Sequence, residues 1–467
     1  MYFFIVGRYA PSTRSKGGDD TDRGTQQGGV NILKINTVTV IGGNGTMGAN
    51  ISGIFASFGG AKVYMVVRNL DSARKAFETA VVSVKAESIG SNLIPVSYDE
   101  LSECIKKSDL IIESVIEDIC IKKSVYQKVN EYIPPNAIIA TGTSGLSVDV
   151  LAEQLDEDKR KRFFGVHFFN PPYNMTLCEF IPSKYSDRQV ALELKDYLRF
   201  NLLRNVVEVK NTAAFMGNRI GFMFINLALQ FAEKYKYSGG IDYIDSIMGG
   251  FTGRAMPPLG TSDFVGLDVH KAIVDNIYNN INDYEHESFV IPEFVQSMIN
   301  ENHLGRKSGI GLYKLVYHGD NSKEVYVYDI ETNMYRPKRK YSFPFAEHMI
   351  AYLRNGDYAK AFSSLISNKS PEARICVELL VRYVLYGIFT SKTIGEDIHS
   401  ADKVMASGFN WIPPLCVYNV LNANGEFEKI SKELLPPNIL NNLKLDDVLS
   451  DLPLSNYDYR PFFKAKG

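Results

Sequence analysis

The sequence predicts an open, doubly wound α/β domain with a largely parallel sheet, followed by two related all-helical domains. Three observations carry that expectation. Strand-like and helix-like runs alternate from Thr37 to about Lys210, the pattern turns helical after Asn211, and one set of helical landmarks recurs late in the chain. Length agrees, because 467 residues exceed what one ordinary hydrophobic core serves.

Taken in order, Met1–Val6 is too short for a signal-peptide core, and Ser12–Gly29 holds almost nothing to bury, so residues 1–34 read as a flexible extension. The β-branched run Val38-Thr39-Val40-Ile41 feeds Gly43-Asn44-Gly45-Thr46-Met47-Gly48 and then a helix-like stretch, Ala49 to Phe58. In that setting Gly43 allows a tight turn, Gly45 lets backbone approach a pyrophosphate, and Gly48 lets helix and strand lie close. The helix start then offers unpaired N–H groups to phosphate. Residues 35–214 are therefore expected to form a Rossmann-like dinucleotide-binding domain. Val63–Val67 reads as its second strand, Leu70 to Ile89 as a long helix, and Asp109–Glu113 and Ala137–Thr141 as later strands. The active face belongs at the carboxyl ends of those strands.

A boundary is expected near Lys210 to Phe215, because Arg219 to Tyr237 is too rich in Phe, Leu and Ile for a surface helix. Residues 215–316 read as a helical domain, polar and Tyr-rich residues 317–344 as a linker or a small irregular insert, and residues 345–467 as a second, degenerate helical domain. The echo lies in Asp245-Ser246-Ile247-Met248 followed by Met256-Pro257-Pro258-Leu259, against Asp402-Lys403-Val404-Met405 followed by Ile412-Pro413-Pro414-Leu415. An apolar helical stretch opening with Arg-Ile precedes each, at Arg219-Ile220 and Arg374-Ile375.

Composition narrows the function. The net charge of -2, from 51 basic and 53 acidic residues, offers no case for nucleic acid, and no basic run suggests a membrane surface. No apolar run has transmembrane length. Cys104, Cys120, Cys178, Cys376 and Cys416 lack CxxC or histidine companions, so they read as buried free thiols of a cytoplasmic protein, with no metal site.

The densest polar cluster in an apolar setting is Gly165-Val166-His167-Phe168-Phe169-Asn170-Pro171-Pro172, followed by Glu179. A histidine after a buried strand, with a carboxylate near in space, moves protons near neutral pH; alone, it is more often a core histidine held by a carbonyl. Ser144, in Thr141-Gly142-Thr143-Ser144-Gly145, ends a strand on the same face, or else caps the segment starting at Leu146. A Ser-His hydrolase fits poorly, since position 146 is Leu and no Gly-x-Ser-x-Gly elbow forms. Asn218 opens the long helix, where its amide either packs or holds a substrate carbonyl.

Together these motifs resemble the 3-hydroxyacyl-CoA dehydrogenases of fatty-acid β-oxidation and butanoyl metabolism. The resemblance covers roughly Asn36 to Lys314 and includes Ile111–Asp118 with Lys122, Thr143-Ser144, Gly217-Asn218-Arg219, Asp263–Asp268 and Leu304–Lys314. Gly253-Arg254 and Thr261-Ser262-Asp263 are similar to the branch with a duplicated helical domain, here without a hydratase region. The resemblance implies His167 as general base, Glu179 as the carboxylate that orients it, Ser144 on the substrate oxygen and Asn218 at the thioester end. It implies Glu117, Lys122 and Asn170 along the nicotinamide and ribose, with NAD as cofactor and an acyl-CoA as substrate. A homodimer and a separate enoyl-CoA hydratase stay open as partners.

Four positions depart from the family pattern. Val67 stands where an acid usually binds the adenosine ribose, and Arg68 follows, which leaves NADP open beside NAD. Gly142 stands where Asn is usual, and Ala213-Ala214 replaces Pro-Gly at the domain junction. The second helical domain has Ala373-Arg374 where the first has Asn218-Arg219, so it is expected to be structural and to mimic a dimer partner. A dehydrogenase of a free hydroxy acid or sugar acid, and a non-catalytic subunit of the same fold, are the alternatives.

Overall fold

The structure, a computed structural model, describes residues 33–69, 72–318, 322–453 and 462. Most of the expected extension, residues 1–32, lies outside them. The first domain is built on eight strands: β1 (Thr37–Ile41), β2 (Lys62–Val67), β3 (Leu93–Ser97), β4 (Leu110–Glu113), β5 (Ile138–Thr141), β6 (Phe163–Phe168), β7 (Leu177–Pro182) and β8 (Asn205–Glu208). They form one sheet in the order β3-β2-β1-β4-β5-β6-β7-β8. Pairing is parallel from β3 to β6 and again between β7 and β8, while β6 and β7 run antiparallel.

Apolar runs, rather than alternating ones, make these strands because both faces are covered. Ile41, Ile111 and Ile139 point into one core, whereas Val38, Val40, Leu110, Ile112, Ile138 and Ala140 point into the other. Strand order reverses between β1 and β4, which opens the crevice where such sheets bind ligands.

The helix Gly217–Lys234 is the centre of the second half, buried on nearly every side. It packs against the helix Pro371–Ile394. A short antiparallel bridge, Arg254 with Trp411, joins their surroundings, and the Ile412 N–H donates to the Gly253 carbonyl at 2.8 Å. The later helices also cover the edge of the first sheet, through the Val209–Gly395 bridge and through Lys195, which pairs with Glu208 (2.7 Å) and Glu396 (3.1 Å). An edge strand with unpaired N–H and C=O groups is thereby shielded. Among the described residues, no helix is long and apolar enough to cross a membrane.

Three expectations are corrected. The second helix, expected over Leu70 to Ile89, is Ala73–Val84 among the described residues: Lys85 turns left-handed (φ 55) and ends it, and Leu70 lies outside them. The expected linker contains most of an antiparallel sheet: β9 (Tyr313–Tyr317), β10 (Lys323–Asp329) and β11 (Met334–Pro337). Val325-Tyr326-Val327-Tyr328 is strand-forming sequence, and Arg336 docks the sheet by pairing with both Asp329 and Asp242. Cys120 is exposed rather than buried; the other four thiols are buried.

Candidate active site

The glycine loop crosses the carboxyl ends of β1 and β4. Gly42, not Gly43, takes the left-handed backbone conformation (φ 88), and a Cβ there would lie 2.5 Å from the Ser114 carbonyl oxygen. Gly48 is pressed to its strand, with a Cβ landing 2.2 Å from the Gly42 oxygen. Gly45 is the open one: its nearest neighbour would be 3.4 Å away. No side chain caps the helix Thr46–Ser57 and no acid sits in its first turn, so the amides around Thr46 and Met47 suit a phosphate. These features fit a dinucleotide. At the end of β2, Val67 is fully buried and Arg68 is exposed, so neither residue offers a carboxylate to the ribose.

The antiparallel turn between β6 and β7 makes His167 and Glu179 direct cross-strand partners. Glu179 Oε2 accepts from His167 Nδ1 at 2.7 Å, with both residues buried. That bond fixes the tautomer and leaves Nε2 to exchange a proton. The other carboxylate oxygen, Oε1, accepts from the N–H groups of Met216 (3.1 Å) and Gly217 (2.7 Å), the start of the long helix. One carboxylate thus orients the imidazole and anchors the helical domain. Phe169 and Phe215 lie against the ring, with centroids at 4.6 and 5.7 Å. Phe215 reaches it from two consecutive left-handed residues, Ala214 (φ 56) and Phe215 (φ 52), a conformation costing about 1–2 kcal/mol per non-glycine residue. Ala214 is where the sequence lost its expected glycine.

Ser144 is not a helix cap: Ser147 caps Val148–Ala152 instead. The Ser144 turn is held by Glu117, whose Oε1 accepts from Thr143 Oγ1, from Ser144 N–H (2.7 Å) and from Gly145 N–H (3.2 Å). Asn218 Nδ2 donates to the Ser144 carbonyl at 3.4 Å, so the helical domain meets this turn directly. Asn170 accepts from Asn50 Nδ2 (3.2 Å), which ties the loop after β6 to the first helix. Gly142 leaves little room, since a Cβ would stand 3.2 Å from the Glu113 carbonyl.

Lys122 is buried and pairs with Glu113 (2.6 Å) and Glu117 (3.3 Å). Sequence reasoning does not single out Gly42 or Phe409, and it assigns no role to Glu113 or Thr143 although both fall in motifs that carry the resemblance. Glu113 carried a signal, an acid ending an apolar strand. Phe409 carried none: it lies far along the chain yet packs on Phe169 (5.8 Å), the ring that covers His167.

Comparison with known proteins gives the same picture. The NAD binding domain of 3-hydroxyacyl-CoA dehydrogenase matches residues 37–212, and the C-terminal domain of that family matches residues 215–315. A probable 3-hydroxyacyl-CoA dehydrogenase of Bacillus subtilis is 31% identical over 73% of this chain and 42% of its own length. The chain therefore spans less than half of that relative. A probable 3-hydroxyacyl-CoA dehydrogenase of Deinococcus radiodurans is 31% identical over 60% of this chain and 83% of its own length. In fold, 3-hydroxybutyryl-CoA dehydrogenase of Escherichia coli K12 superposes with a TM-score of 0.63 at 19% identity, covering 88% of this chain and 98% of that one. With both domains matched in order over a site of this geometry, the chain belongs to the 3-hydroxyacyl-CoA dehydrogenase family.

Proposed function

We propose that the chain interconverts (3S)-3-hydroxyacyl-CoA and 3-oxoacyl-CoA with a nicotinamide nucleotide, in fatty-acid metabolism. The buried His167–Glu179 pair, with Glu179 also holding the start of the Asn218 helix, is the observation that carries this reading. A bound nicotinamide supplies hydride exchange with the substrate carbon that bears the oxygen. His167 Nε2 takes the hydroxyl proton in oxidation and returns it in reduction, while Glu179 stabilises the imidazolium. The Ser144 hydroxyl hydrogen-bonds that oxygen and favours the charge developing on it. Asn218, one residue into the helix that Glu179 anchors, holds the thioester end. The Gly43–Gly48 loop and helix start take the pyrophosphate; Glu117 and Asn170 line the ribose and nicotinamide side, with Lys122 fixing Glu117 from beneath.

NAD is the proposed nucleotide. NADP is a second reading, favoured by the exposed Arg68 beside the buried Val67. Cytoplasmic placement, a homodimer and cooperation with a separate enoyl-CoA hydratase belong to the same proposal. Absorbance of the reduced nicotinamide with acetoacetyl-CoA tests it. The wild type should consume NADH or NADPH, and His167→Ala should lose about 10³-fold of that rate. The preferred nucleotide, and its shift in Arg68→Gln, decides between NAD and NADP. A nucleotide-binding wild type that consumes neither would refute the assignment.

A further inference from the structure

We propose that Glu113 is a positioning residue for the substrate-binding serine, acting on the Ser144 turn along two converging chains of hydrogen bonds. The inference rests on the dehydrogenase reading and deepens it. Glu113 ends β4 and is fully buried, next to β5, whose end leads into the turn. Its Oε1 accepts from Lys122 Nζ at 2.6 Å and from the Val115 N–H at 2.7 Å. Its Oε2 accepts from Thr141 Oγ1 at 2.8 Å and from the Tyr126 hydroxyl at 3.2 Å. Burial, and then the neighbouring Glu113, raise the Tyr126 phenol well above its ordinary pKa, which keeps it a donor.

Each oxygen starts one chain. The first runs through Lys122, which also pairs with Glu117 Oε2 at 3.3 Å. Glu117 Oε1 then receives the Thr143 hydroxyl and the backbone N–H groups of Ser144 and Gly145. The second runs through Thr141, whose Oγ1 donates to Glu113 and accepts the Thr143 N–H at 3.3 Å. Both chains end on the same three-residue turn, the first on the Thr143 hydroxyl and the Ser144 and Gly145 N–H groups, the second on the Thr143 N–H. A buried ion pair is weak evidence for stability, because desolvation offsets its Coulombic gain. Two carboxylates sharing one buried ammonium are explained better by what they hold, namely the backbone that presents the Ser144 hydroxyl.

A double-mutant cycle on the full chain tests this, read as kcat/KM for acetoacetyl-CoA at saturating nucleotide. Glu113→Gln keeps the shape but replaces an oxygen that accepts two hydrogen bonds with an NH2 that accepts none, and should lower kcat/KM by about 30-fold, the scale expected when a reacting group is displaced by a fraction of an ångström. In the Ser144→Ala background the same change should cost less than about 2-fold, since no hydroxyl remains to be positioned. Tyr126→Phe, which removes one hydroxyl from an intact core, should repeat the pattern at about 3-fold and serves if Glu113→Gln does not fold. Equal losses with and without the Ser144 hydroxyl would overturn the positioning role while leaving the dehydrogenase reading intact. A folded wild type inert with both nucleotides would overturn that reading, and this role with it.

Discussion

The helices Gly217–Lys234 and Pro371–Ile394 begin with related sequence and do different work. After each comes an aspartate that holds the first turn of a proline-led helix: Asp245 accepts from the N–H of Leu259 (2.8 Å) and Gly260 (2.9 Å), Asp402 from that of Leu415 (2.9 Å). Their starts diverge. The first helix is anchored on Glu179, across a domain junction, so Asn218 reaches the Ser144 turn. The second is capped locally by Ser370, which accepts from Ala373 N–H at 3.2 Å. Arg219 is buried against Asp283 (2.6 Å) and Tyr386, whereas Arg374 meets Glu433 (2.8 Å) near solvent. We propose that the two are copies of one unit. On that view one copy kept the contacts of catalysis, and the other kept only those of packing.

Four experiments would break or sharpen that contrast. The largest effect is expected at the anchors: Glu179→Gln should lower kcat about 10³-fold, having lost the imidazole's partner. Ser370→Ala should leave kcat unchanged and cost about 1 kcal/mol in chemical denaturation, the usual value of a lost cap. Comparable kcat losses would erase the distinction. Next, Arg219→Ala should destabilise by about 3–5 kcal/mol, because Asp283 would stay buried without its partner. Arg374→Ala should leave the unfolding midpoint within error, its pair being solvent-screened.

Phe409→Ala asks whether the later helices serve the site at all. Loss of the ring behind Phe169 should lower kcat about 5-fold with nucleotide binding unchanged, by loosening His167. The smallest effect concerns acid. Burial pushes the His270 pKa down to about 3, and the ring is held between Ser262 and Asn226. Its unfolded value is higher, so the stability it contributes is present at neutral pH and is lost as pH falls below about 6.5. Wild-type stability should fall there by up to about 1.4 kcal/mol per pH unit more steeply than that of His270→Gln, measured by denaturant titration between pH 7 and 5. His399 of the later region has the opposite sign: its hydrogen bond to Asp402 raises its pKa, so the stability it contributes is lost as pH rises rather than as it falls.

Legibility followed distance along the chain. The glycine loop, the strands β1, β2, β4 and β5 and the helix after Met216 are readable because local spacing dictates them, whereas β3, β7 and β8 carry too short an apolar run to stand out. His167 and Glu179 were readable as candidates, twelve residues apart, although only the antiparallel β6–β7 pairing shows them to be direct partners. The β9–β11 sheet was passed over because its alternation of Val and Tyr was hidden by polar neighbours and turns. Gly42 was passed over because the motif draws attention to Gly43, yet the positive φ falls one residue earlier.

By itself the sequence determined the cofactor-type fold, the change from alternating elements to helices and the residue types at the site, since these follow from periodicity, glycine and short-range chemistry. Only the tertiary structure decided that Glu179 anchors a helix as well as a histidine, that Lys122 and Glu113 are linked to the Ser144 turn, and that Phe409 backs the Phe169 ring against His167. Each of those depends on groups brought together by sheet pairing and domain docking, where the directional hydrogen bonds of a buried carboxylate choose among partners that no local spacing ranks.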